Sequence, residues 1–199
     1  MRKSYTILFA LIVLLSTAMS VEALESKTIE RHNGAYAFAD WTKTNDGVTT
    51  YTYLSVTETD DGTDIYVSMW TYGEMTSYEK YGYMFTEDDV FSIDKKLNSA
   101  SLSEVEIGVE EWYVNYDTGE YIFEGTDTLT VKADWTGIGG TSKGSSRYVS
   151  RDGDYAFRST ENSLSREAVV TGLINDNDPG SQSFASMVKF KTAYMNMEK

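Results

Sequence analysis

Apolar and polar residues alternate with a period of two along much of this chain, which restricts the fold more than any other feature. In one run, Leu54 and Val56 alternate with Tyr51, Tyr53 and Ser55. Successive side chains of a β-strand point to opposite faces, so this pattern is typical of a strand with two different faces. The runs are rich in Thr, Val and Tyr, and the chain has one proline. Sustained helical periodicity is absent, so the sequence predicts an all-β protein.

Asp-Gly pairs at 46–47, 61–62 and 152–153 separate such runs and predict hairpin turns, since this pair tolerates positive φ. With Asp46-Gly47 as a two-residue loop, Ala37 lies opposite Val56 and Ala39 opposite Leu54. With Asp61-Gly62 as the loop, the expected partners are Val56 with Val67, Tyr53 with Trp70, and Tyr51 with Tyr72. Three consecutive strands then form a meander.

The two faces of this meander differ in chemistry. One is aliphatic and is the expected core side. The other, here called the aromatic face, carries Tyr36, Phe38, Tyr51, Tyr53, Tyr66, Trp70 and Tyr72. Aromatic rings with polar tips can stack on sugars or on a partner chain. Tyr51, Tyr53, Tyr66, Trp70 and Tyr72 are therefore the candidate ligand-binding residues. The alternative is that they pack beneath other parts of the protein or only stabilise the meander as cross-strand pairs.

Further strands are predicted at 100–110, 112–116, 120–124, 127–135, 146–151, 154–159, 164–174 and 183–195, whereas residues 74–93 carry no clear pattern. About nine to eleven antiparallel strands favour a two-sheet sandwich. Residues 24–199 are long enough for a single domain with its own core.

The N-terminus has the layout of a secretory signal peptide. Arg2 and Lys3 precede the apolar run "ILFALIVLL", and "STAMSVEA" offers small residues for cleavage after Ala23 or, alternatively, after Ser20. We therefore expect a signal peptide over residues 1–23 and an extracellular or cell-surface protein. If the segment is not cleaved, it is a short membrane anchor, and this is the membrane contact the sequence suggests.

The formal net charge of −14 argues against nucleic acid as a partner, because nucleic-acid binding needs a basic surface. The chain has no cysteine, which excludes disulfides, thiolate catalysis and cysteine-bound zinc. A glycan or another protein chain remains as the expected partner.

A glycine-rich stretch, "WTGIGGTSKGSS" over residues 135–146, invites comparison with phosphate-binding loops. The Walker type needs a Gly-Lys-Ser/Thr order that opens a helix. Here the order is Lys143-Gly144-Ser145 and the following run has strand character. The stretch is predicted to be a loop between two strands.

The run "LTVKADWTGIGG", followed by "SLSREAVVTGLI", resembles a pattern in uncharacterised secreted proteins of bacteria and archaea. The resemblance covers about residues 97–175. It implies an extracellular β-sandwich and assigns no functional residue.

Catalytic and metal sites have few candidates. His32 is the one histidine, so a multi-histidine metal centre is excluded, and we expect His32 to be solvated. Paired carboxylates could hydrolyse glycosides. The acidic loop "NDNDPG" could bind calcium through Asp176 and Asp178, although no twelve-residue calcium loop is present.

The sequence thus predicts a secreted or surface-attached, non-enzymatic β-sandwich protein that acts by binding or by self-association, as in a matrix or surface layer. A carbohydrate-binding module that uses the aromatic face is the first alternative. A carboxylate-dependent glycoside hydrolase is the second.

Overall fold

The computed structural model describes residues 26–73, 76–115 and 118–198. The predicted signal peptide, residues 1–23, lies outside these ranges. The described residues form ten strands: β1 (Ser26–Asn45), β2 (Val48–Thr59), β3 (Gly62–Tyr72), β4 (Thr76–Thr86), β5 (Phe91–Ile93), β6 (Ser99–Asn115), β7 (Glu120–Gly137), β8 (Ser142–Asp152), β9 (Tyr155–Ile174) and β10 (Ser181–Glu198). A search of these residues finds no helix with the length and apolar character that crossing a membrane requires.

The strands belong to one large sheet, in the order β10-β1-β2-β3-β4-β6-β7-β9-β8, and β5 pairs with β6. β9 also pairs with β10, the strand with which this order begins. Neighbouring strands run antiparallel from β1 through β7 to β9. The predicted all-β, antiparallel character is therefore confirmed.

The first hairpin forms as the turn chemistry predicts. Ala37 lies opposite Val56 and Ala39 opposite Leu54. The turn residues Asp46 and Gly47 have φ angles of 50° and 82°. This backbone conformation suits an Asp-Gly pair, because aspartate tolerates and glycine readily adopts positive φ.

The second hairpin has a different register from the predicted one. Leu54 lies opposite Val67 and Tyr51 opposite Trp70, so the expected pairs of Val56 with Val67, Tyr53 with Trp70, and Tyr51 with Tyr72 are wrong. The loop is Asp60-Asp61, and Gly62 begins β3 opposite Thr59. The register differs from the expected one by two residues. A shift of two keeps every side chain on its face, so the predicted division into an aliphatic and an aromatic face still holds.

Two predicted strand breaks, one in β6 and one in β7, lie at a single β-bulge between these longer strands. Glu111 lies opposite Gly125 while Trp112 lies opposite Phe123, which leaves Glu124 as an extra residue on β7. Gly125 has a φ of 151°, a conformation that strongly favours glycine. The expected strands 100–110 and 112–116 are therefore one strand, β6, and 120–124 and 127–135 are one strand, β7.

The contacts divide the chain into two compact units. The smaller one includes the described residues 26–31, 147–160 and 193–198. In it, the ring of Phe157 stacks on Tyr194 with centroids 6.0 Å apart, and it contacts Tyr148 at 6.1 Å. The single domain expected over residues 24–199 stays a prediction.

The larger unit, residues 32–146 and 161–192, contains the hydrophobic core. Trp135 of β7 is 1% exposed, and its Nε1–H donates a hydrogen bond of 3.0 Å to the carbonyl oxygen of Phe38 on β1. Trp41 of β1 packs on Gly172 of β9, where a Cβ atom would lie 2.9 Å from the indole ring. The inward faces of β1 and of the β7–β9 pair therefore meet across the core.

Candidate functional site

The aromatic face lies on the outward side of β1, β2 and β3. Residues that alternate with it, such as Ala37, Leu54 and Val67, are fully buried in the core. Tyr51 is 50% exposed, Tyr66 37% and Tyr72 38%, whereas Tyr53 and Trp70 are half-buried. Three of the five candidate rings therefore present large surfaces to solvent.

Tyr51, Trp70 and Tyr72 form a compact group at one end of β2 and β3. Tyr51 is the direct cross-strand partner of Trp70. Its ring meets Tyr72 edge-on with centroids 5.7 Å apart, and Trp70 stacks on Tyr72 at 6.2 Å with an interplanar angle of 25°. These rings line a cavity of about 620 Å³ together with Gly47, Thr49 and Gly73. We call this cavity the aromatic trough.

The two other candidate residues belong to a separate row of rings. Tyr53 contacts Tyr66 at 6.0 Å and Phe38 at 6.4 Å. Phe38 in turn contacts Phe184 of β10 at 5.5 Å. Sequence reasoning missed Phe184, because the pairing of β10 with β1 joins segments far apart in the chain and no local pattern marks it.

β4 adds a carboxylate beside the trough. Glu79 lies opposite Trp70 on one side and opposite Trp112 on the other, so it shares the outward face with both indoles. Partial burial raises the pKa of the Glu79 carboxyl above its ordinary value. Residues 74–93 show no clear pattern in the sequence, so this residue was not predicted.

The predicted calcium ligands lie in the loop between β9 and β10. Asp176 and Asp178 are exposed, and the Asp178 carboxylate accepts a hydrogen bond of 2.9 Å from the backbone N–H of Gly180. Lys43 Nζ donates to the carbonyl oxygen of Asp178 at 2.9 Å. Among the described residues no three His, Asp or Glu side chains are grouped so as to hold a metal ion. Calcium binding by this loop stays a prediction.

Carboxylates gather at the other end of β2. A cavity of about 370 Å³ there is lined by six carboxylate residues: Glu58, Asp60, Asp61, Glu87, Asp88 and Asp89. Burial raises the pKa of the Glu58 carboxyl, Asp89 acts in the same direction, and Lys189 opposes them. His32 lies apart from this cavity, exposed on β1. The hydrolase alternative stays a prediction.

The glycine-rich stretch joins two strands, but the prediction of a loop over residues 135–146 is wrong for most of its length. β7 ends at Gly137 and β8 begins at Ser142, so only residues 138–141 connect them, and Lys143-Gly144-Ser145 lies in a strand and opens no helix. Backbone N–H groups at this junction are paired within the protein: Gly137 donates to Asn98 and Ile138 to Glu167.

Comparison with protein-family profiles, with curated proteins and with solved structures gives no match for this chain. The resemblance to secreted β-sandwich proteins therefore stays an expectation.

Proposed function

We propose that this protein is an exported, non-enzymatic binding protein that binds a glycan in the aromatic trough. One observation carries the proposal. Tyr51, Trp70 and Tyr72 form a contiguous group of rings, two of them more than a third exposed, around a cavity of about 620 Å³.

The chemistry of the trough suits a sugar. Pyranose rings have apolar faces edged by hydroxyl groups, and an aromatic ring offers a flat apolar surface for such a face. The rings are carried by paired strands, so little conformational entropy is lost when a ligand is bound. Stacking on several rings at different angles is compatible with a chain of more than one sugar unit.

Polar groups around the trough can orient a glycan. Glu79 shares the outward face with Trp70, and a carboxylate accepts hydrogen bonds from sugar hydroxyls. Thr49 adds a hydroxyl to the lining of the trough. A few polar groups placed among apolar rings are the usual composition of a small-molecule site.

The proposed location rests on the predicted signal peptide of residues 1–23. A sandwich architecture is supported by the opposed inward faces of β1 and β7. An extracellular protein meets cell-wall and matrix glycans directly. We therefore propose the cell surface or the extracellular space as the site of action.

The test is a glycan-array screen of the purified protein, followed by titration calorimetry with the best ligand. Trp70→Ala is expected to weaken binding by about 1–3 kcal/mol, because an aromatic anchor is lost. The matched control is Tyr121→Ala, which removes an exposed ring on β7 outside the trough and should leave the affinity unchanged. Equal losses in both variants, or the absence of any glycan ligand, would count against the proposal.

Self-association through the same exposed rings is the competing outcome. Sedimentation velocity of the wild type and of Trp70→Ala separates the two. A wild-type oligomer that dissociates in the variant, without glycan binding, would replace the proposal.

A further inference from the structure

A cavity of the larger unit, with a volume of about 1010 Å³, lies at the opposite end of β2 from the aromatic trough. Three strands, β1, β2 and β10, extend beyond the core to this cavity, and their inward-facing residues lie on its side. Ala35, Val56 and Met187 are buried in the core, and the next residues of the same parity are Asn33, Glu58 and Lys189. The cavity therefore continues the interior of the unit. Its inward-facing positions carry polar and charged side chains, where those of the core carry apolar ones.

The lining is basic in a strongly acidic protein. It contains four lysines and two carboxylates, whereas the whole chain has a formal net charge of −14. The lysines are Lys95, Lys143, Lys189 and Lys191, and the carboxylates are Glu58 and Asp60. These lysines come from three separate places in the sequence, so only the fold brings them together.

The lysines are not neutralised by close contacts. Within residues 26–73, 76–115 and 118–198, none of these four lysines forms an ion pair closer than 4.0 Å, whereas Lys80 pairs with Glu111 and Asp127. Lys189 is close enough to Glu58 to influence its pKa, and the pKa of that carboxyl is nevertheless raised by burial. Four lysines around one cavity of an acidic protein make the local potential positive, which favours an anionic ligand.

One wall of the cavity is particularly suited to an anionic group. Lys143 of β8 and Lys189 of β10 line this wall with Asn162 of β9, which adds an amide donor. The carboxylates Glu58 and Asp60 come from the end of β2 and the loop after it, and the charge of Lys189 acts on Glu58.

The cavity also has an apolar part. Leu164 of β9 packs against the core and lines the cavity together with Ala35, which is buried. A ligand that fits this lining has an anionic group at one end and an apolar part at the other.

We propose that this cavity binds a small organic anion, with a carboxylate, sulfate or phosphate group between Lys143 and Lys189 and an apolar part against Leu164 and Ala35. This site is separate from the aromatic trough and does not depend on glycan binding there. The glycine-rich stretch then has a binding role without the geometry of a phosphate loop, through Lys143.

The test uses anilinonaphthalene sulfonate, a fluorescent anion with an apolar body, as the probe for the purified protein. We expect saturable binding to the wild type that weakens as the salt concentration rises. The double variant Lys143→Gln/Lys189→Gln should bind about tenfold more weakly or worse, because two charged donors are lost. Lys132→Gln, at an exposed lysine of β7 outside the cavity, is the matched control and should bind as the wild type does.

Two further measurements decide the outcome. Citrate, inorganic sulfate and inorganic phosphate are added as competitors, and the one that displaces the probe most effectively identifies the class of anionic group. Trp70→Ala should bind the probe normally, so failure of the glycan proposal leaves this one intact. Absence of probe binding, equal affinity in the lysine variants, loss of binding in Trp70→Ala alone, or displacement by none of the three anions would overturn the proposal.

Discussion

At the scale of single residues, the two tryptophans Trp70 and Trp135 show how one side-chain type fills two roles. Trp135 is buried and hydrogen-bonded to the backbone of β1, whereas Trp70 is half-buried beside Tyr51. Strand parity distinguishes them, because Trp135 shares its face with Val131 and Ala133, and Trp70 shares its face with Tyr66 and Tyr72. The sequence therefore predicted the outward position of Trp70 correctly, but it could not supply the partner of Trp135.

Trp135→Ala is expected to reduce the free energy of unfolding by about 3–5 kcal/mol, because it leaves a large cavity in the core. Trp135→Phe should cost less, since it keeps an aromatic ring and loses mainly the hydrogen bond to Phe38. Urea denaturation followed by circular dichroism measures both. A loss for Trp135→Ala no greater than that for Trp70→Ala would show that the core position of Trp135 is misassigned.

Asp94 organises the turn after β5. Its carboxylate accepts hydrogen bonds from the backbone N–H groups of Asn98 at 3.0 Å and Lys96 at 3.1 Å. These bonds, with the one from the backbone of Asn98 as the largest cause, lower the pKa of Asp94 below its ordinary value. The turn holds Leu97 at a φ of 57°, with its side chain fully buried.

A lowered pKa means that the ionised carboxylate stabilises the folded state. This contribution is complete above the ordinary pKa of 3.8 and is lost as the pH falls through the lowered value. Asp94→Ala should therefore lower the melting temperature at neutral pH, and its difference from the wild type should shrink in acid. Asp94→Asn, which keeps an acceptor oxygen but does not titrate, is the control. A difference that does not change with pH would contradict this assignment.

At the scale of elements, the turns show the limit of local sequence patterns. The Asp-Gly pair at 46–47 occupies its turn, but the pair at 61–62 is displaced, because the loop is Asp60-Asp61. Both registers of the second hairpin place aliphatic residues opposite one another, and they differ by two residues. Face patterning cannot distinguish such registers, since it is sensitive only to odd shifts.

Gly47 and Gly62 differ in what surrounds them, which gives a paired prediction. Gly47 has a φ of 82° and open space around it, so Gly47→Ala should cost about 1–2 kcal/mol from backbone strain alone. At Gly62 the φ is 147°, and a Cβ atom would also lie 2.6 Å from the carbonyl oxygen of Thr86. Gly62→Ala should therefore destabilise the protein more in urea denaturation. The reverse order would contradict the register of the second hairpin.

At the scale of the whole molecule, the features that sequence reasoning missed are those built from distant segments. β10, the last strand of the chain, pairs with β1, the first, and also with β9. The lysine-lined cavity collects residues from 95, 143, 189 and 191. In the sequence, nothing distinguishes any of these lysines from an ordinary solvent-exposed lysine. Their spacing therefore could not predict that they line one cavity. The positions of the strands and the face to which each side chain points were predictable, because they depend on residues close together in the sequence. The order of the strands in the sheet depends on contacts between distant residues and was not predictable.

β8 is the strand at the end of the order, and in the part of the chain that the structure describes it pairs only with β9. A strand with one unpaired edge can pair with another chain, and charged side chains at such edges oppose this. Lys143, Arg147 and Arg151 lie on β8, and both arginines are exposed. We expect these basic residues to keep the protein from associating edge to edge.

Arg147→Thr/Arg151→Thr should therefore increase association and aggregation, because threonine favours strand pairing and the repelling charges are gone. Sedimentation velocity and light scattering at several protein concentrations measure this. The control, Lys43→Thr/Lys132→Thr, removes the same charge from paired positions of β1 and β7, two strands that have a neighbour on each side. Both double variants make the net charge of this acidic chain more negative, which by itself favours solubility. Association in the β8 variant alone identifies the strand edge as the cause. Equal association of the two variants would assign the effect to net charge and refute a protective role for β8.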